Sequence, residues 1–108
     1  MKNIITITCF ALVLFASTVQ ANPICDIDRE QAKNDLKQEL SETYGNSYST
    51  VAMLLKAGMR DYDIICNIPN NSINNGILQD LKSSYYPSFS TILMLYETNK
   101  KSYNELNN

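Results

Sequence analysis

Cys25 and Cys66 constrain this chain more than any other pair of residues. The only other cysteine, Cys9, lies inside an apolar run over residues 4–16 that is interrupted by Thr6 and Thr8 alone. Lys2 precedes that run and Ser17-Thr18-Val19-Gln20-Ala21 follows it, so residues 1–21 have the charged, apolar and small-residue order of a cleavable signal peptide. The run falls short of the roughly 20 residues that span a bilayer, and Cys9 sits in mid-run behind Thr8, which argues against a lipid-bearing cysteine. The expectation is an exported protein, periplasmic or secreted, cut after Ala21, with residues 22–108 as a single domain and no stable membrane insertion once the signal is removed. In an oxidising compartment an even number of cysteines reads as a disulfide, and two cysteines leave one pairing. The bridge encloses 40 residues and contributes roughly 4 kcal/mol on the chain-entropy model. That help matters, because a domain this small buries only about 60 to 65% of its unfolded surface.

The rest of the chain reads as helices. Ala32, Leu36 and Leu40 recur every four residues within 28–43, amid Arg29, Glu30, Lys33, Asp35, Lys37 and Glu39, which predicts an amphipathic helix with a narrow apolar stripe. Asp26 or Asp28 is its expected cap and Gly45-Asn46 its stop. Tyr48, Val51, Ala52, Leu55 and Met59 predict a second helix from Ser47 or Ser49 to Arg60, broadened by Leu54 and Ala57. Residues 61–68 predict a separate short helix that Pro69 closes. Ile73, Ile77, Leu78 and Leu81 place a helix over 72–83, capped from Asn70-Asn71-Ser72, and Phe89, Ile92, Leu93, Tyr96 and Tyr103 place a last one that Ser88 starts. Four to five short helices with short connections make an all-α domain, orthogonal or bundle-like, with one disulfide.

Composition removes most routes to chemistry. Histidine is absent, and with it go the commonest general base, the commonest metal ligand and the Ser-His and Cys-His nucleophile pairs, so no enzyme is expected. Asp26-Ile27-Asp28-Arg29-Glu30 alternates carboxylates as a calcium loop does, but the sixth and twelfth positions hold Gln31 and Lys37 instead of Gly and Glu. Those carboxylates suit a helix N-terminus, and no metal is expected. With Gly45, Gly58 and Gly76 as the only glycines, no loop can cradle a phosphate, and no cofactor is expected. Without Lys2 the chain has 8 basic against 11 acidic residues, a net of −3 that disfavours nucleic acid and anionic membrane surfaces as partners.

Surface is what remains. Tyr85-Tyr86-Pro87-Ser88 puts two of the seven tyrosines beside a turn, from which adjacent rings do not both enter one core. Tyrosine is enriched in binding hot spots, so Tyr85 and Tyr86 are the expected partner-binding residues and another protein is the expected partner. The bland alternative is that one ring caps the core while the other packs on the surface.

The outline of an exported signal, one disulfide and four or five short helices resembles two groups. One comprises the small periplasmic acid-stress chaperones, the other the small periplasmic immunity proteins that neutralise secreted effectors. Cys66-Asn67-Ile68-Pro69 ahead of a helix is the segment that resembles the second group. The resemblance implies an inhibitor- or immunity-like binding protein, or alternatively a stress chaperone that opens to expose its apolar stripes. Architecture alone does not choose between them.

Overall fold

Two of the helices begin where a polar side chain closes the first turn. Asp28 accepts the N–H of Gln31 at 3.3 Å and starts α1 (Arg29–Tyr44); Asn71 accepts the N–H of Asn74 at 2.9 Å and starts α3 (Ser72–Tyr85). Between them lies α2 (Tyr48–Cys66), and α4 (Phe89–Leu106) follows. These come from a computed structural model that describes residues 21–108. All of the expected signal segment except Ala21 therefore lies outside the described residues. The described part is all-helical, with four helices and no strand. Gly45, at φ 55°, turns α1 into α2 through a conformation that favours glycine, and its N–H reaches the carbonyl of Ser41 at 2.9 Å.

The separate short helix expected over 61–68 does not form. Instead α2 runs on without a break for 19 residues, because Met59, Tyr62 and Ile65 continue its buried stripe past Arg60. Tyr62, flanked by Asp61 and Asp63, belongs to the core: its hydroxyl donates to the carbonyl of Ile27 at 2.6 Å. The face of α3 also differs from the expected one. Leu78 and Leu81 are buried as predicted, but Asn74 and Asn75 join them while Ile73 points outward. The amides find partners in the preceding loop, Asn74 donating to the carbonyl of Pro69 at 2.9 Å and Asn75 to Oδ1 of Asn70 at 2.6 Å. These bonds satisfy the amide N–H groups, while Oδ1 of Asn74 is buried with no hydrogen-bond partner among the described residues, and Ile73 is turned outward. Tyr48, expected in the stripe of the second helix, stands exposed at its first position.

Two helical hairpins make the domain. In the first, α1 packs on α2, with Leu36 against Gly58 so closely that a Cβ at position 58 would lie 2.5 Å from Leu36 Cδ2. In the second, α3 packs on α4, and the two hairpins meet where α2 lies on α4. Ile24, Ile65, Leu78, Phe89 and Ile92 are the largest fully buried side chains, and with Ala32 and Leu36 of α1 the core draws on the N-terminal turn and all four helices. The N-terminal turn is bound at both ends. Asn22 is buried, its Oδ1 accepting the N–H groups of Ile24 and Cys25 while its Nδ2 donates to the carbonyl of Ile65 near the end of α2. Cys25 and Cys66 then form the disulfide, with Cα atoms 5.0 Å apart. A side-chain amide and a covalent bond thus fasten the turn to the C-terminal end of α2, where the carbonyl of Ile65 also accepts the N–H of Ile68 at 3.1 Å.

Candidate functional site

The tyrosine pair sits where α3 gives way to α4, and the two rings part company there. Tyr86 turns inward, its ring edge-on to Phe89 with centroids 5.6 Å apart, and its hydroxyl donates to Oδ2 of Asp35 on α1 at 2.5 Å. Phe89 is wholly buried and meets Tyr62 in the same edge-on manner at 5.2 Å. Ser88 is the N-cap of α4 by position but makes no capping bond with its side chain; its Oγ lies 3.3 Å from Oε1 of Glu39. Two residues of the turn are therefore tied to α1. Tyr85, the last residue of α3, points outward and is 42% exposed. Of the two predicted contact residues, Tyr86 holds the turn in place and Tyr85 is the one presented to solvent.

Burial, and after it the hydrogen bond to Asp35, holds the Tyr86 phenol protonated far above the ordinary tyrosine range. Burial raises the phenols of Tyr62 and Tyr96 as well. A folded-state pKa above the unfolded one contributes stability that is whole below the unfolded value, about 10 for tyrosine, and is lost as pH rises from there toward the folded value. The thermal midpoint is expected to fall as pH rises beyond about 10, and to fall less steeply in Tyr86→Phe than in the parent. Melts followed by circular dichroism check this. Parallel slopes in the two proteins would mean that the Tyr86 phenol contributes nothing to the alkaline transition.

Two open grooves run along the hairpins. The one between α3 and α4 has a volume of about 660 Å³, with Ile73, Ile77, Tyr103 and Leu106 on its walls and Asp80 as its one charged residue. The other, between α1 and α2, measures about 470 Å³ and has Leu55 and Met59 along its floor, with Arg29, Lys33, Lys56 and Arg60 around it. Neither groove was singled out in the sequence. The signal for the second was present, since Arg29 and Lys33, like Lys56 and Arg60, stand four residues apart and so share a helix face. Among the described residues no three carboxylate or cysteine side chains gather as a metal site requires, and no helix is long and apolar enough to cross a membrane. Comparison of the chain with protein-family models, with curated proteins and with solved structures gives no match in any of the three.

Proposed function

We propose that this chain is an exported, non-catalytic protein-binding domain that engages another protein through a preformed helical surface, as an inhibitor or immunity protein does. The turn at 85–88 supports this reading more than any other feature. Tyr86 and Ser88 fix it to α1, so Tyr85 presents a large amphipathic ring from a turn that is held in place before any partner arrives. Binding to such a ring avoids much of the ordering cost that weakens association. Export is supported by the disulfide, a bond that persists in oxidising compartments. With a captured partner in hand, Tyr85→Ala is expected to weaken binding by more than about 1 kcal/mol at an unchanged melting temperature. Equal affinity for parent and variant in calorimetry would remove the turn from the binding surface.

One observation favours the chaperone reading as the second choice. The hairpins are joined by three hydroxyl-to-carboxylate bonds: Tyr86 to Asp35, Ser88 to Glu39, and Ser90 to Asp61 at 2.6 Å. These are the polar ties that would have to break for α3 and α4 to swing away from α1 and α2. Near-ultraviolet circular dichroism at pH 3 and pH 7 separates the readings, since a chaperone of this kind loses tertiary packing in acid while keeping its helices. Fixed packing at both values supports the binding domain.

A further inference from the structure

We infer that the groove between α1 and α2 is a docking site for an acidic amphipathic helix of a partner protein. Its charge pattern is unlike the rest of the chain. Beyond position 21 there are eight basic residues, and four of them, Arg29, Lys33, Lys56 and Arg60, line this one groove in a segment with a net charge of −3. They form two rails, Arg29 and Lys33 on α1 facing Lys56 and Arg60 on α2, with Lys37 continuing the first rail by another turn. An ordinary solvated helix face mixes its signs at spacings of three and four. On α1, Asp35 and Glu39 lie on the flank toward the 85–88 turn, where they accept from Tyr86 and Ser88, while Arg29 and Lys33 line the groove and Glu30, on the same helix face as Lys33 and Lys37, is not among the residues that line it.

Most of this positive charge is uncompensated. The one carboxylate in the groove, Asp63, receives both Arg29 Nε and Nη2 at 3.0 Å. Among the described residues no carboxylate comes within 4.0 Å of Lys33, Lys56 or Arg60. Holding like charges together across a narrow groove is unfavourable, and a negative partner would relieve it.

The floor decides what kind of negative partner fits. Ala52, Leu55 and Met59 give an apolar strip between the rails, and from Ala52 to Asp63 the lined part of α2 spans three turns, about 17 Å. A partner helix has the same rise, so its apolar residues at i, i+3 or i+4, and i+7 can lie along the floor while Asp or Glu on both flanks meet the rails. A single-chain anionic amphiphile carries its charge at one end and would leave most of the cations unmatched. A membrane surface is flat and does not enter a groove between two helices. The α3–α4 groove has a single charge on its walls and selects no such partner. This site lies on the flank of α1 opposite the Tyr85 turn, and it stands or falls independently of that turn.

The test titrates the oxidised protein with a labelled model peptide of about four helical turns, carrying leucines at the i, i+3/i+4, i+7 positions and glutamates on both flanks. Two control peptides replace the glutamates by lysine or the leucines by serine. The glutamate peptide is expected to bind, with amide resonance shifts confined to α1 and α2, and to weaken as salt is raised beyond the screening length of these contacts. Lys56→Glu with Arg60→Glu should weaken it by about tenfold or more, since like charges then face each other. Both positions are exposed, so the melting temperature of the variant is the control for folding. Asp63→Asn should tighten binding a few-fold by releasing Arg29 to the peptide. Failure of the glutamate peptide to bind, equal binding of either control peptide, shifts centred on α3 and α4, or capture by anionic vesicles in place of the peptide would each overturn the assignment.

Discussion

Phe89→Ala is expected to lower the stability of the domain by about 3 to 5 kcal/mol, the usual cost of truncating a fully buried aromatic side chain. The position explains why the cost should lie in the upper part of that range. Phe89 opens α4, has no exposed surface, and meets Tyr62 of α2 on one side and Tyr86 of the turn on the other. Its loss removes burial, two edge-on aromatic pairs worth about 0.5 to 1.5 kcal/mol each, and the wall against which Tyr86 positions the turn. A domain of this size has roughly 4 to 13 kcal/mol in total, so the variant should be largely unfolded at moderate urea. Urea titration measures the change, with Met94→Ala, at a well-exposed site on the same helix, as a near-neutral control. A loss below about 1.5 kcal/mol for Phe89→Ala would mean that the junction of α2, α4 and the turn is not the centre of the core.

Replacing both Cys25 and Cys66 by serine should cost roughly 2 to 4 kcal/mol. Part of that is the entropy of an unfolded chain no longer closed across 41 positions. The native state should also loosen where Asn22 and Ile24 join the turn to α2, since the covalent bond and the Asn22 amide act on the same helix end. Hydrogen exchange at Ile24 and Cys25, whose N–H groups bond to Asn22, should accelerate before that of the central turns of α4. An unchanged melting temperature in the double variant, or free thiols in the purified protein, contradicts the account.

The helices that could be read from the sequence are those whose apolar spacing and punctuation agree. Asp28, Gly45 and the four-residue repeat of Ala32, Leu36 and Leu40 define α1 almost to the residue, and a single cysteine pairing followed from the even count beyond Cys9. The differences fall where polar residues flank or enter the core. The spacing places the second helix only as far as Arg60, with a separate short helix over 61–68; in the fold Asp61 and Asp63 stand clear of the core while the ring of Tyr62 between them goes in, so α2 continues to Cys66. The apolar spacing of 72–83 names Ile73, Ile77, Leu78 and Leu81 and gives no place to Asn74 and Asn75, whose partners, Pro69 and Asn70, are visible only once the loop has closed. Adjacent Tyr85 and Tyr86 gave no sign of which ring turns inward, because that depends on Asp35, 51 positions away from Tyr86. The cationic groove was harder still, since its rails belong to two helices and the chain as a whole is acidic.

Affinity capture by the oxidised domain from the envelope and medium of its own host, followed by titration of whatever is retained, tests the binding account most directly. The account predicts one protein held in a fixed stoichiometry at neutral pH, with an affinity that falls in Tyr85→Ala while the melting temperature stays put. A mixed population of unfolded proteins, retained in acid and released at neutrality, would contradict it.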